Sequence, residues 1–420
     1  MITSRLESHK DAFVWIFLPE NPFPTIVGRI TRNDQMCYFN YGQSYLENPA
    51  AIPLSPFELP LKKGIFSPEG INTIHSCLRD ASPDAWGRRL IDFRYAQLES
   101  NEIDYLLLSG SNRIGALDFQ LSSTEYQARE PKSASLEELL EVTSCIELQK
   151  PIPFELDFAL LRGTSVGGTR PKALIQNKGK ECIAKFGLSQ DHYNIIKAEF
   201  IGMQLAKKLS LNVPNVSLTK ALGKDILIVE RFDRDYTPSG VTRRLMLSGL
   251  SLLNLNEMEA RYASYCDLAD VIRQHFDKPH AQLLELYKRL IFNILIGNTD
   301  DHARNHSAFW DGKKLQLTPA YDLCPQLRSG QEATQAMAIE GSQGNFSTLE
   351  NVLSVSEHFQ ITLNIACEIM EDMIITLKEN WESVCKEAEI SDLERNRLWG
   401  KSILNPFCFQ GFGKTRRGRI

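Results

Sequence analysis

The chain has 420 residues, 43% hydrophobic and 24% charged, with 47 lysines and arginines against 52 aspartates and glutamates. Those proportions exclude a globally disordered chain, and a net charge of −5 excludes coating of nucleic acid by bulk charge. The nine scattered cysteines form no C-x-x-C, which excludes a zinc knuckle or a disulfide framework. A chain of this length exceeds one hydrophobic core, so two or three domains are expected. No segment approaches the ~20 apolar residues of a membrane span. The apolar run Phe13–Leu18, charge-flanked and stopped by Pro19, is too short for a signal peptide. A cytosolic protein without membrane contact is the expectation.

In chain order, Phe13–Leu18, Thr25–Ile30 and Met36–Phe39 are short β-rich runs separated by Pro, Asn and Asp, as in a small antiparallel sheet or barrel. From about Ile71 the period becomes helical, and Leu78–Leu90 carries Ser82 before Pro83 at a helix start. The polar stretch Ser123–Ser135 reads as a linker. Next come a glycine turn at Ser165–Lys172 leading into a strand, a second strand at Glu181–Phe186, an amphipathic helix from Tyr193 to Leu209, and an apolar strand at Asp225–Asp233. Beyond it the pattern is helical over Leu268–Phe276, Ala281–Gly297, Thr348–His358, Ile361–Glu389 and Asp392–Leu404. One hairpin interrupts it, Ser307–Trp310 with Leu315–Leu317, joined at Asp311-Gly312. This grammar divides the chain into a β-rich segment with helices at 1–150, a strand–helix segment at 151–235 and a helical segment at 236–420.

The sharpest constellation is Gly297-Asn298-Thr299-Asp300-Asp301-His302-Ala303-Arg304-Asn305, followed by Tyr321-Asp322. Phosphoryl transfer needs a carboxylate for the nucleophile's proton and oxygen ligands that hold magnesium on the phosphates. Asp300 and Asn305 have the separation of the Asp and Asn in a protein-kinase catalytic loop. The same residues equally suit turn and cap hydrogen bonds. His302 and His306 invite zinc, but Ala303 stands where a zincin has Glu. Lys185, flanked by Ala184 and Phe186 on a strand, and Glu199 on the next helix match the lysine–glutamate pair of nucleotide kinases, or a snorkelling lysine beside an unrelated carboxylate. Gly167 and Gly168 can open amides toward an anion beside Arg170 and Lys172, or simply turn a hairpin. Val229-Glu230-Arg231-Phe232-Asp233-Arg234 can offer its backbone to adenine with Phe232 stacking nearby, or close a buried strand with charge. Gly411-Phe412-Gly413-Lys414-Thr415 imitates a Walker loop without a following helix, and its basic residues read as a solvated tail. No element of the set decides alone; their order, glycine turn to strand lysine to helix glutamate to hinge to Asp/Asn to Asp, is that of a kinase.

In these stretches the chain resembles the HipA-family serine/threonine kinases, the toxins of HipBA-type toxin–antitoxin pairs. The resemblance runs from about residue 70 to 330 and is most specific in Thr299–Asn305 and Val229–Arg234. It implies an α+β, two-lobed protein-kinase-like fold related to the phosphoinositide kinases, with a small N-terminal β-containing domain, a nucleotide-binding N-lobe at 151–235 and an all-helical C-lobe at 236–420. It implies ATP and Mg²⁺ as cofactors. Asp300 would be the catalytic base with His302 beside it, Asn305 and Asp322 the magnesium-side ligands, and Lys185 the phosphate lysine held by Glu199. Ser165, Val166, Gly167, Gly168 and Lys172 would form the nucleotide loop, with Glu230, Phe232 and Asp233 at the adenine-contacting hinge. Ser165 falls at the loop serine that the family autophosphorylates, where a phosphate beside the nucleotide's own would eject the loop. The implied partners are a HipB-like DNA-binding antitoxin, with DNA met only through it, and a protein substrate such as an aminoacyl-tRNA synthetase. The sequence departs from the family in a short Lys185–Glu199 segment and in Met246-Leu247-Ser248-Gly249, where a Gln-Glu-Asp stretch is common. Two rivals stand beside this reading. One is a small-molecule kinase of the aminoglycoside type, whose histidine precedes the Asp, whereas His302 follows it. The other is a pseudokinase serving as an interaction module.

Overall fold

The three β-rich runs at the N-terminus form β1 (Asp11–Phe17), β2 (Pro24–Asn33) and β3 (Met36–Tyr41) in a computed structural model that describes residues 8–130, 133–165, 168–328, 330, 332–339 and 344–412. They pair antiparallel, and β4 (Leu117–Gln120) adds to the free edge of β1, with Phe13 opposite Gln120, in the order β3-β2-β1-β4. The sheet is open rather than a barrel. Its alternation turns Val14, Ile16, Ile30, Phe39 and Phe119 to one fully buried face, and Val27, at the register shift between Val14 and Trp15, is buried as well. This sheet belongs to the first of two units, which gathers residues 1–189, 219–247 and 309–313.

The same unit contains a second antiparallel sheet built from β5 (Lys172–Asn177), β6 (Lys180–Phe186), β7 (Val216–Ala221) and β8 (Lys224–Glu230), in the order β5-β6-β8-β7. The unit also holds α1 (Ala85–Arg94), α2 (Glu102–Leu108) and α3 (Leu136–Glu147). Leu139, Leu140 and Ile146 of α3, with Trp86 and Leu90 of α1, pack with Ala173, Cys182, Ala184, Phe186, Ile226 and Ile228 of the second sheet. The stretch expected as a linker ends in a capping box. Ser135 Oγ accepts from the Glu138 amide at 3.1 Å, and the Glu138 carboxylate accepts from the Ser135 amide at 2.7 Å. α1 begins at Ala85, beyond the expected Ser82 cap. Asp84 takes the cap position, but its carboxylate accepts from Gly168 instead of from its own helix. After β8 come β9 (Arg234–Thr237), β10 (Gly240–Arg243) and β11 (Leu245–Ser248).

The second unit gathers residues 190–218, 248–308 and 314–420. Its main helices are α4 (Ile195–Lys208), α5 (Tyr265–His275), α6 (Pro279–Ile296), α7 (Leu363–Glu387) and α8 (Asp392–Leu398). α6 starts with Pro279 in its first turn and stops at Gly297, whose φ of 70° is the left-handed conformation that ends helices. Among the described residues no helix is long and apolar enough to cross a membrane. The helix expected over Asp392–Leu404 stops at Leu398, where Trp399 leaves the helix to stack on Trp381 with centroids 5.0 Å apart. The pattern over Thr348–His358 splits into a helix at Leu349–Ser354 and a 3₁₀ turn at Ser356–Phe359. The expected hairpin forms as β12 (Ser307–Trp310) and β13 (Leu315–Leu317), with Gly312 at φ 93° in its turn. α4 packs along α7, and Gly202 of α4 meets the Leu323 carbonyl so closely that a Cβ would collide with it.

His75 is buried edge-on to Phe39, with ring centroids 6.5 Å apart. Burial brings its pKa down from 6.5 to about 4. The unfolded chain then takes up this proton before the folded chain does, so the site costs stability as pH falls from 6.5 toward 4. Chemical denaturation across that interval should show a shallower loss for His75→Gln than for the wild type; equal slopes would exclude the effect.

Candidate active site

In the first unit the register of β5 and β6 sets Lys172 directly opposite Lys185. Residues so paired project to one face of a sheet, with Cβ atoms about 5 Å apart, where like charges repel. An anion above that face removes the repulsion. Lys172 is buried and Lys185 half-buried. The Lys172 ammonium folds over Gly168, whose φ of 108° suits glycine and where a Cβ would strike that ammonium. The Gly168 amide donates to the Asp84 carboxylate at 2.6 Å, and its carbonyl accepts from the Trp86 amide at 3.2 Å. Trp86 Nε1 donates in turn to the Lys172 carbonyl at 3.1 Å. The glycine turn is thus seated on the first turn of α1. Ser165 beside it is 6% exposed, and its hydroxyl has no hydrogen-bond partner among the described residues. Val166 and Gly167 lie outside the described residues, as does the basic tail from residue 413.

The hinge stretch leaves β8 in the same unit. The Glu230 carboxylate pairs with the Lys180 ammonium, and the Arg231 amide donates to the Glu181 carbonyl at 3.1 Å, so that donor is engaged within the sheet. Phe232 is half-buried and meets Phe309 edge-on, centroids 6.1 Å apart. Asp233, one of the expected nucleotide contacts, is 2% exposed, and its carboxylate is taken up by the protein. It accepts from Arg231 Nε and Nη2 at 2.9 and 2.7 Å, from Arg234 Nη1 at 3.0 Å and from the Gly115 amide at 2.7 Å. Arg231 and Arg234 also both donate to Asn112 Oδ1 and to the Arg113 carbonyl. Burial pushes the Asp233 carboxyl up, but the two guanidinium groups outweigh it and hold it well below the usual carboxylate range. Burial, aided by repulsion from Arg231, brings Arg234 down to about 9.

In the second unit Glu199 is buried on α4. The loop after α6 divides its two adjacent aspartates. Asp301 is 1% exposed, and its Oδ2 receives the Tyr265 hydroxyl, Asn293 Nδ2 at 2.8 Å and His306 Nε2 at 3.1 Å. Asp300 is exposed, and its carboxylate makes no hydrogen bond among the described residues. Asn305 closes the turn, its Nδ2 donating to the Asp300 carbonyl at 3.3 Å and its amide to the His302 carbonyl at 2.8 Å. His302 is half-buried at the start of that turn.

Asp322 approaches the same loop with φ 56°. The Tyr321 hydroxyl donates to the Arg304 carbonyl at 2.7 Å, and Asn298 Nδ2 donates to the Asp322 carbonyl at 3.2 Å. Asp300, Asn305 and Asp322 are therefore carried by backbone segments bonded to one another. Among the described residues no group of three His, Cys, Asp or Glu side chains gathers to hold a metal ion alone. One amide oxygen and one or two carboxylates suit a cation that arrives with phosphates. Because Asn305 spends its Nδ2 on a carbonyl, its Oδ1, the atom a hard cation takes, is left to face elsewhere.

Sequence reasoning missed Tyr265 and Asn293, which shape this loop, and Asp84, which seats the glycine turn; Asn298 stood in the constellation without a role of its own, and His306, weighed there only for zinc, instead bonds Asp301. Only Asn293 left a signal, a lone amide inside the apolar run Leu290–Ile296.

A mixed fold with several sheets, a glycine turn beside two opposed strand lysines and an Asp–Asn–Asp loop define the class as kinase-like. The model of the HipA-like C-terminal domain family matches residues 164–381, more than half the chain, and the HipA N-terminal domain matches residues 24–120. The chain belongs to the HipA family. It is 30% identical over 201 residues to the serine/threonine-protein kinase toxin HipA of Shewanella oneidensis, a stretch that is 42% of this chain and spans 46% of that toxin's length. Its fold is that of a chain in the solved Shewanella oneidensis MR-1 toxin–antitoxin complex of HipA, HipB and operator DNA, with a TM-score of 0.71, 20% identity, and coverage of 94% of this chain and 98% of that one.

Removing one partner of a buried ionic set leaves the others uncompensated, at a cost of about 3–5 kcal/mol. Asp233→Ala should lose stability on that scale in urea titration, whereas Asp300→Ala, at an exposed carboxylate, should stay within about 0.5 kcal/mol of wild type.

Proposed function

We propose that the chain is an ATP- and Mg²⁺-dependent serine/threonine-protein kinase acting as the toxin of a HipA–HipB-type pair. The observation that carries this reading is the division of labour between neighbouring aspartates: Asp301 is consumed in fixing the loop, and Asp300 is left open beside Asn305. In this reading Lys185 and Lys172 with the glycine turn neutralise the nucleotide phosphates, and Glu199 is the helix glutamate of the kinase pattern. Glu230 and Phe232 border the adenine, and Asp233 braces the hinge behind them. Asn305 and Asp322 hold Mg²⁺, which when bound spreads the charge of the transferring group. Asp300 accepts the proton of the serine or threonine hydroxyl as that oxygen bonds to the γ-phosphorus and the bond to the β-phosphate oxygen breaks. His302 lies at the start of the turn that carries Asn305. The lobes expected at 151–235 and 236–420 are redrawn here: residues 190–218 gather with the second unit and 236–247 with the first, and the segment expected to be all helical carries strands at 240–243, 245–248, 307–310 and 315–317.

Ser165 is the proposed autophosphorylation site. Its buried hydroxyl reaches a γ-phosphate only after the turn leaves its seat, so phosphorylation there switches the enzyme off. The matched Shewanella protein stands in a complex with HipB and operator DNA, which supports a HipB-like DNA-binding antitoxin as partner, met in the cytoplasm. The protein target is a component of translation, an aminoacyl-tRNA synthetase being the family's example.

The purified full chain, given Mg²⁺ and γ-labelled ATP, should label itself, and chelation by EDTA should stop the reaction. Asp300→Asn should label more slowly by on the order of 10²-fold or more with an unchanged melting temperature. Equal labelling by both proteins would remove Asp300 from the chemistry. A wild type that transfers no phosphate would overturn the kinase reading.

A further inference from the structure

Twenty-four residues of chain separate Asn298 from Asp322, and one side chain bridges them. Asn298 is 1% exposed. Its Nδ2 donates to the Asp322 carbonyl at 3.2 Å and to Asn293 Oδ1 at 2.9 Å, while Asn293 Nδ2 donates to Asp301 Oδ2 at 2.8 Å. The chain of amides therefore runs without a gap from the carboxylate that fixes the Asp300 loop to the backbone that presents Asp322. The Asn298 backbone is itself fixed, since its amide donates to the Asn293 carbonyl at 2.8 Å, and the preceding Gly297 carbonyl accepts from the Gln326 amide at 3.1 Å. Asp322 needs such support. Its φ of 56° is a conformation that a non-glycine residue keeps only when its surroundings demand it.

Resting on the kinase reading above, we infer that Asn298 is a positioning residue that sets the separation of Asp322 from Asn305 and so governs capture of Mg²⁺ with the nucleotide. It touches neither metal nor nucleotide. It works through the main chain of Asp322 on one side and through Asn293 on the other. Outer partners of this kind typically govern metal affinity by tenfold or more.

The test follows thermal unfolding of the full chain at fixed ATP while Mg²⁺ is titrated, with labelling by ATP as a second readout. Asn298→Ala should raise the Mg²⁺ concentration that gives half the ATP-dependent stabilisation by about tenfold. Asn298→Ser, which keeps a short donor, should fall between that variant and wild type, and it serves if the alanine variant does not fold. The control is Asn405→Ala. Asn405 is equally buried, and its amide donates to the Lys401 carbonyl at 2.8 Å and accepts from the Phe407 amide at 2.9 Å. That variant should lower the melting temperature and leave the Mg²⁺ midpoint in place. A midpoint unchanged in Asn298→Ala and Asn298→Ser, or moved equally by Asn405→Ala, overturns the inference while the kinase reading stands. A wild type that neither responds to Mg²⁺ with ATP nor labels itself overturns the kinase reading.

Discussion

One carboxylate oxygen, Asp301 Oδ2, receives a hydroxyl from Tyr265, an amide from Asn293 and a ring nitrogen from His306. A charge removed from water in this way is tolerated only when its hydrogen-bonding capacity is filled, so the loop backbone has little freedom at that residue. Adjacent side chains of a non-helical segment diverge, and turning Asp301 inward therefore turns Asp300 outward. The carbonyls of Thr299 and Asp301 accept from the amides of Ala336 and Met337, which anchors the loop from its other side. The exposure of the Asp300 carboxylate is here a consequence of burying its neighbour.

The first unit solves a related problem with opposite charges. Arg113, Arg231 and Arg234 are each under 5% exposed, and they share Asp118, Asp233 and the partly covered Glu181. Continuous partnering by carboxylates, carbonyls and Asn112 makes that burial possible, and it leaves no member replaceable alone. The stretch that follows β8 is held rigid for this reason, with Phe232 between Arg231 and Arg234, whose heads are committed elsewhere.

Much of this was legible in the sequence. Period-two runs announced β1, β2, β3, β5, β6 and β8, and helical spacing announced α4, α5, α6 and α7 within a few residues. β4 was not, because four residues, Leu117–Gln120, carry too little alternation and its partner β1 lies a hundred residues away in the chain. The cap of α1 was misjudged because Asp84 bonds to a glycine distant in sequence, which no local pattern encodes. At the candidate site, residue types and spacing singled out Asp300, Asn305 and Asp322, which the second unit carries on loop segments hydrogen-bonded to one another. The five-residue spacing to Asn305 favoured Asp300 over Asp301, and what the sequence did not give was the burial of Asp301. The roles of Asn293 and Asn298 needed distances, since an asparagine beside a helix end reads as an ordinary cap.

Gly202 also restricts how this sequence can change. Its missing side chain is the gap through which the Leu323 carbonyl touches α4, one residue past Asp322. Residues remote from each other in the gene are thereby locked together in inheritance. A lineage cannot enlarge position 202 without first moving the turn at 322–325, and it cannot move that turn without disturbing Asp322. Nearly all of α4 is buried, and at this position even a methyl group meets main chain.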